Sequence, residues 1–467
     1  MKPQPQGEAV TTHISPFPAK RGKQKSVRKT FSQFLFQELT SLKKGARNIE
    51  RGTTMTKKII VALLALLLVA MAAVAGAEPV KLTFAFDQGV GEPTLKLLEE
   101  FNATHDNIQV ESYVLPQDAN NLHDDFVNKM IAGDTSIDVM ALDVVFISEF
   151  ASAGWLTELD ETFPEAVQAN YIPGTIASGK WDGKLYAMPW FTNASMFFYR
   201  TDLLEEAGVT EVPTTYQGWI DVFEKLEGKV DYAFSYQGSS SEAMVCSWCE
   251  FVWNEGGEIL DADGNPTLNA EAVIAATDRM AGYIGKYAPE GTTTYAETES
   301  QQVFQEGKAL TCRTWSGTWN VFNNAAESSV AGKVGATNLP VAEAGMTPHA
   351  CLGGLSVCIN KAISDEQKAA ALEFITWLTS EETEKKMTLL SSQPPAVSAV
   401  YSDAEVLEAV PFYTDFFPII SNGKGRPASP YYAELSDAIQ RNVHQALTGA
   451  LPAADALNNA QAEAVAF

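Results

Sequence analysis

The strictest constraint on this chain is an alternation of two periods. From Val80 to Phe86 apolar and polar residues alternate, Gly89 and Gly91 break the pattern, and Leu95, Leu97, Leu98 and Phe101 then form an amphipathic helix over 94–102. "IQVESYVL" is a second strand, residues 121–132 a second helix, and "IDVMALDVV" a third strand ending near Asp143. Period two followed by period 3.6, repeated, builds βαβ units, whose crossovers produce parallel sheets with helices on both faces. Ligands in such sheets gather beyond the carboxyl ends of the strands, so Glu92 in the loop region after the first strand and Asp143 at the end of the third are candidate binding residues. "GGLSVCINKAIS", residues 353–364, reads as one more buried strand entering a helix at Ser364.

A chain of 467 residues with 46% hydrophobic content is longer than one ordinary domain, and two lobes are expected. At the N-terminus, "MTKKIIVALLALLLVAMAAVAGAEP" places Lys57 and Lys58 before an apolar run from Ile59 to Val74, followed by Ala75, Gly76 and Ala77. A basic start, a short apolar core and an Ala-x-Ala end describe a secretory signal over 55–77, cleaved before Glu78. Residues 1–54, with 11 Lys or Arg against 3 Asp or Glu, read as an N-terminal extension from a start codon assigned too early. Export to the periplasm is expected. Removing residues 1–77 leaves 20 basic and 55 acidic residues, a net charge of −35, so nucleic acid and anionic membrane surfaces are poor partners.

All five cysteines, at 246, 249, 312, 351 and 358, lie beyond the signal and allow at most two intramolecular bridges. Cys246 and Cys249 have the spacing of a redox or zinc pair, but no second pair exists and the five histidines are scattered. A structural role is expected, with neither metal nor cofactor.

In "MPWFTNASMFFYRTDLL", residues 188–204, two strand-like apolar runs flank Thr192, Asn193, Ala194 and Ser195. A chain able to bury everything here leaves an amide and two hydroxyls in the middle, which suggests a polar task.

The order "ALDVVFISEFASAGWLTELD", "GKLYAMPWFTNASMFFYRTDLLEEAG", "WNEGGEILDADGNPTLNAEAV", "VFQEGKAL", "GKVGATNLP", "CLGGLSVCINK" and "GKGRPASPYYAELSDAIQRNVHQALTG" resembles the extracellular solute-binding proteins of sugar ABC importers, and is most similar to their trehalose/maltose-binding branch. The resemblance implies an α/β, two-lobed periplasmic-binding-protein fold of type II with a cleft at the hinge. It places 78–190 plus 350–400 in the first lobe and 194–348 plus 402–467 in the second. It implies a monomer without catalytic activity, a small carbohydrate as ligand and permease subunits as membrane partners. The 188–204 stretch becomes a crossing between lobes whose polar gap faces the cleft.

A sugar offers hydroxyls, which need acceptors and bidentate donors, and flat C–H faces, which stack on aromatic rings. By resemblance Glu92 and Asp143 are acceptors, Asn193 stands where the branch has an acid, Trp315 is the stacking platform, Arg426 forks onto hydroxyls, and Gly354 permits close backbone approach. The branch's usual Trp after the paired glycines is Leu355, a Tyr is Gly317, an Arg falls at Leu122 or His123, and the aromatic before the crossing acid is Phe191, without a hydroxyl. Trp190, Trp253 and Trp319 are candidates to replace the missing platforms. Cys312 and Cys351, each three residues before a proposed cleft element, are the expected disulfide. The reading from another class is a secreted carbohydrate-active enzyme with Glu92, Asp143 or Glu242 as paired carboxylates, about 5–10 Å apart across a glycosidic bond.

Overall fold

The computed structural model describes residues 78–465 apart from positions 117 and 422; the expected extension and signal, 1–77, lie outside the described residues. Strand β1 (Val80–Asp87) leads through a 3-10 turn into α1 (Gly91–Thr104), then β2 (Ile108–Leu115), α2 (Ala119–Ile131) and β3 (Val139–Asp143). β2 and β3 both pair parallel to β1, the βαβ arrangement that the periodicity predicts. A short antiparallel hairpin, β4 (Lys180–Trp181) and β5 (Lys184–Leu185), turns through Asp182 and Gly183, both at positive φ. It precedes β6 (Ala187–Arg200), which is followed by α3 (Tyr216–Lys225), β7 (Tyr232–Ser235), α4 (Glu242–Asn254), α5 (Glu271–Tyr283), α6 (Glu297–Gln305), β8 (Ala309–Trp315) and β9 (Val334–Thr337). The chain returns in β10 (Cys351–Ile359), then α7 (Asp365–Leu378), α8 (Glu381–Ser391), α9 (Tyr413–Ser421), β11 (Lys424–Gly425), α10 (Tyr432–Leu447) and α11 (Ala453–Ala464).

One sheet of nine strands runs β2-β1-β3-β10-β6-β8-β7, with β11 on β10 and β9 on β6. β7 and β8 pair parallel like β1, β2 and β3, whereas β10 and β6 enter antiparallel between the two sets. The polar gap at 192–195 does not split the crossing segment: β6 is one continuous strand of 14 residues. Partners from distant segments engage each of the three polar residues. The Thr192 amide donates to the Pro394 carbonyl, Ser316 donates to Asn193, and Ser195 Oγ accepts from the Cys351 amide.

Period two explains the two faces of the first strands. Leu82, Phe84 and Phe86 of β1 share a core with Leu97, Leu98 and Phe101 of α1 and Phe374 of α7. Ala85, Met140 and Leu142 point the other way, against Leu122, Phe126 and Met130 of α2. Leu95, two residues before Leu97, falls on the outer side of α1 and is exposed. Edge strand β2 buries Ile108 and Val110 but leaves 111–114 exposed, while β3, β6 and β10 are buried nearly throughout because layers cover both faces. α7 begins where Ser364 caps it, its Oγ accepting from the Gln367 amide at 3.2 Å while Gln367 reaches back.

The expected Cys312–Cys351 disulfide is not formed; all five thiols are free and buried. Cys312 pairs with Phe198 on the β8 side of β6, and Cys351 begins β10, on the opposite side of that strand. Two strand spacings of about 4.8 Å each already exceed what a disulfide spans between Cα atoms.

Glu384 on α8 is 1% exposed, with Oε2 accepting from the Val397 amide at 2.7 Å. Burial pushes its carboxyl well above the ordinary 4.5, with the Val397 and Ala396 amides opposing that shift. The native state therefore retains a proton that the unfolded chain releases, and stability drains away as pH rises above the unfolded-state value. Glu384→Gln, neutral throughout, will remove this decline. In denaturant titrations from pH 4 to 8, wild type will lose stability relative to the variant as pH rises; a constant difference contradicts the assignment.

Candidate functional site

A cavity of about 420 Å³ opens at the carboxyl ends of β1 and β3, where a parallel sheet is expected to bind. On this side it is lined by Asp87 and the turn after it, by Asp118 and His123 around the start of α2, and by Asp143. The facing wall carries Glu242 and Cys246 from α4, Glu297 and Gln301 from α6, and Trp315. Phe191 and Asn193 of β6 and Gly353, Gly354 and Leu355 of β10 also line it, as do Gln393 and Arg426.

Asp87 ends β1, and its carboxylate accepts from the Gly89 amide at 2.6 Å. Burial pushes its carboxyl up to about 6, against the Gly89 and Val90 amides, and the nearby Asp143 charge adds to the rise. Asp118 caps α2 through the Asn121 amide at 2.8 Å. His123 Nε2 lies 2.8 Å from Glu149. Burial draws that imidazole down, but Glu149 and Asp124 outweigh it and raise it above 6.5.

Arg426 is the cavity's buried cation. Its guanidinium donates to Glu242 at 2.6 Å and to Asp143 at 2.8 Å, so it joins the two walls. Glu242, the first residue of α4, also accepts from the Tyr432 and Ser436 hydroxyls, and its amide donates to Asn120 Oδ1 of α2 at 3.0 Å.

Trp315 is positioned from below. Gly353 lies against its ring, where an added Cβ would meet the ring carbons at 3.1 Å. The Arg313 guanidinium sits 4.8 Å from the ring centroid. Arg313 is itself buried and held by Glu250 and by Gln237 at 2.8 Å. The indole N–H makes a long 3.5 Å contact with Glu297, whose carboxyl is raised above 4.5 by burial. Gly354 holds φ +125, and a Cβ there would come within 2.4 Å of the Phe191 carbonyl oxygen. Gly354→Ala should lower unfolding free energy by about 2–4 kcal/mol through strain and overpacking, read as a fall in the denaturant midpoint. A loss below about 0.5 kcal/mol would show that β6 and β10 separate freely here.

Of the residues singled out in the sequence, the structure gathers Asp143, Phe191, Asn193, Trp315, Gly354 and Arg426 around the cavity and leaves two outside. Glu92 faces solvent, paired with Lys96 at 2.8 Å, because it begins a helix turn leading away from the strand end; Asp87 holds the place expected of it. Trp190 is fully buried, against Phe84 at 5.4 Å and Phe191 at 5.2 Å. It is the extra residue of a bulge, since Leu355 pairs with Phe191 and Ser356 with Pro189. Trp253 and Trp319 are not among the lining residues either, so among the described residues no second tryptophan joins Trp315. The paired-carboxylate reading finds no support: Glu92 is outside, and Asp143 and Glu242 are both committed to Arg426. Sequence reasoning missed Asp87, Asp118, Glu297, Gln301 and Gln393. Only Asp87 carried a signal, as the acid closing the first predicted strand.

Residues 96–412 match the family model of bacterial extracellular solute-binding proteins. A probable ABC transporter-binding protein of Deinococcus radiodurans is 31% identical over 395 residues, covering 82% of this chain and 92% of that one. Among solved structures, maltose-bound MalE3 of T. maritima superposes with a TM-score of 0.79 at 34% identity, covering 83% of this chain and 99% of that one. A solute-binding protein from Agrobacterium radiobacter in complex with ribitol gives 0.78 at 27% identity, covering 84% and 100%.

Proposed function

This chain belongs to the bacterial extracellular solute-binding proteins and is a solute-binding component of the sugar ABC transporter type; from that premise we propose that it captures a neutral mono- to oligosaccharide, glycoside or polyol by lobe closure and delivers it to a membrane permease. The observation that carries the ligand class is Trp315. An indole braced by Gly353 and Arg313 borders a cavity otherwise rich in hydrogen-bonding side chains, the combination that flat sugar faces and hydroxyls require. At about 420 Å³ the cavity is within the ~300–1,000 Å³ typical of small-molecule sites.

In this reading Asp87 and Asp143 accept hydrogen bonds from ligand hydroxyls, the Asn193 amide nitrogen donates, and Arg426 lends a rigid edge. The first lobe comprises 78–190 plus 350–400 and the second 194–348 plus 402–467. What supports this division is that α7 packs on β1, α8 on α1, and α10 and α11 on α5, with β6 and β10 crossing between. The protein acts as an exported monomer and performs no chemistry on its ligand. Two readouts on one sample test this: a sugar that stabilises the protein should contract its small-angle scattering profile, and it should be recovered intact. An unchanged profile at saturation refutes closure, and a cleaved sugar refutes the receptor reading.

A further inference from the structure

Two cysteines sit on adjoining elements beside the cavity, α4 and β10. Cys246 projects from α4 and lines the cavity; Cys351 opens β10 and is buried. α4 packs directly against β10. A second, independent contact fixes the same alignment: the Cys351 amide donates to Glu250 Oε1 at 3.1 Å, and Glu250 lies one turn beyond Cys246 on α4, so the two share a helix face. The same amide also donates to Ser195 Oγ at 3.1 Å, which holds the start of β10 in place. Of the other cysteines, Cys249 follows Cys246 on α4 itself, while two are placed apart from the pair. Cys312 is beyond β6, and the Cys358 thiol donates to the Met140 carbonyl at 3.5 Å.

We propose that Cys246 and Cys351 are a modification site, a dithiol that a disulfide-bearing molecule entering the cavity oxidises to a Cys246–Cys351 bridge tying α4 to β10. With oxidised glutathione, the Cys246 thiolate attacks one sulfur of the reagent, releasing one glutathione thiolate and leaving a mixed disulfide. The Cys351 thiolate then attacks the Cys246 sulfur, displacing the second glutathione. The two cysteines lose two electrons and two protons, and the reagent becomes two reduced glutathiones. Burial keeps the Cys246 thiol well above its ordinary value of 9, so the exchange is followed over hours. The bridge closes a loop of roughly 100 residues and restricts the unfolded chain accordingly. It joins the helix that presents Glu242 to the strand that presents Gly353 and Gly354.

The test uses the mature wild-type chain incubated with oxidised glutathione, then denatured, alkylated and mapped by mass spectrometry without reduction. The expected result is a linked peptide pair containing Cys246 and Cys351, with a thermal midpoint raised by roughly 5 °C over the reduced protein. Cys246→Ser and Cys351→Ser should each lack the linked pair and the rise. Alkylation of both thiols, a glutathione adduct on Cys246 without the linked pair, or a Cys246–Cys249 bridge would overturn the proposal. The readout requires no sugar, so its failure leaves the carbohydrate reading untouched.

Discussion

Trp315→Ala should weaken binding of the cognate sugar by about 50-fold, whereas Asn193→Ala should weaken it by about 10-fold or less. Covering roughly 100 Å² of ring and sugar C–H surface at about 25 cal/mol per Å² is worth about 2.5 kcal/mol. A hydrogen bond to a hydroxyl only replaces one to water, and nets about 0.5–1.5 kcal/mol. Asn193 already spends its carbonyl oxygen on the Ser316 hydroxyl at 2.6 Å, which leaves its amide nitrogen for a ligand. Calorimetric titration of both variants decides the order. If Asn193→Ala costs more than Trp315→Ala, stacking is not the dominant contact.

The largest stability loss is expected at Arg313→Ala, about 3–5 kcal/mol in denaturant unfolding, because it strips the partner from a buried carboxylate. Arg313 and Glu250 are each 1% exposed and pair through both carboxylate oxygens. Glu250 would retain the Cys351 amide as donor, too little to stabilise a charge away from water. Replacing both residues, as Arg313→Met with Glu250→Leu, should recover most of the loss, since no buried charge then lacks its counterpart. Equal losses in the single and double variants would show that packing, not the ion pair, sets the cost. Arg313→Ala should also lower sugar affinity, because the guanidinium beneath the Trp315 ring goes with it.

Much of the first βαβ unit was legible because local pattern and final environment agree there. β1, α1, β2 and β3 lie within a few residues of their predicted bounds, and Ser364 caps its helix as its sequence suggests. β6 was harder. Thr192, Asn193 and Ser195 look like a break until their partners at Pro394, just after β8 and on β10 are known, and those lie more than 100 residues away in sequence. The same separation hid the relation of Cys312 to Cys351, since no local pattern tells which side of β6 each neighbour takes.

Within the site, alternation along a strand already separates Phe191 and Asn193 from Trp190, so proposing all three to face one ligand conflicts with period two. Choosing Glu92 over Asp87 erred similarly, preferring an acid inside the next helix to the acid closing the strand. Glu297, Gln301 and Gln393 reach the cavity from elements whose placement depends on tertiary packing alone.

The most direct measurement is a thermal-shift screen of the mature protein against neutral sugars, glycosides and polyols, with charged amino acids and peptides beside them. A ligand that binds only the folded state raises the melting point by mass action, about 2.7 kcal/mol at 100 times Kd. At least one neutral carbohydrate or polyol should raise it, and Trp315→Ala should abolish most of that rise. A rise with charged amino acids or peptides and with no carbohydrate would contradict the account.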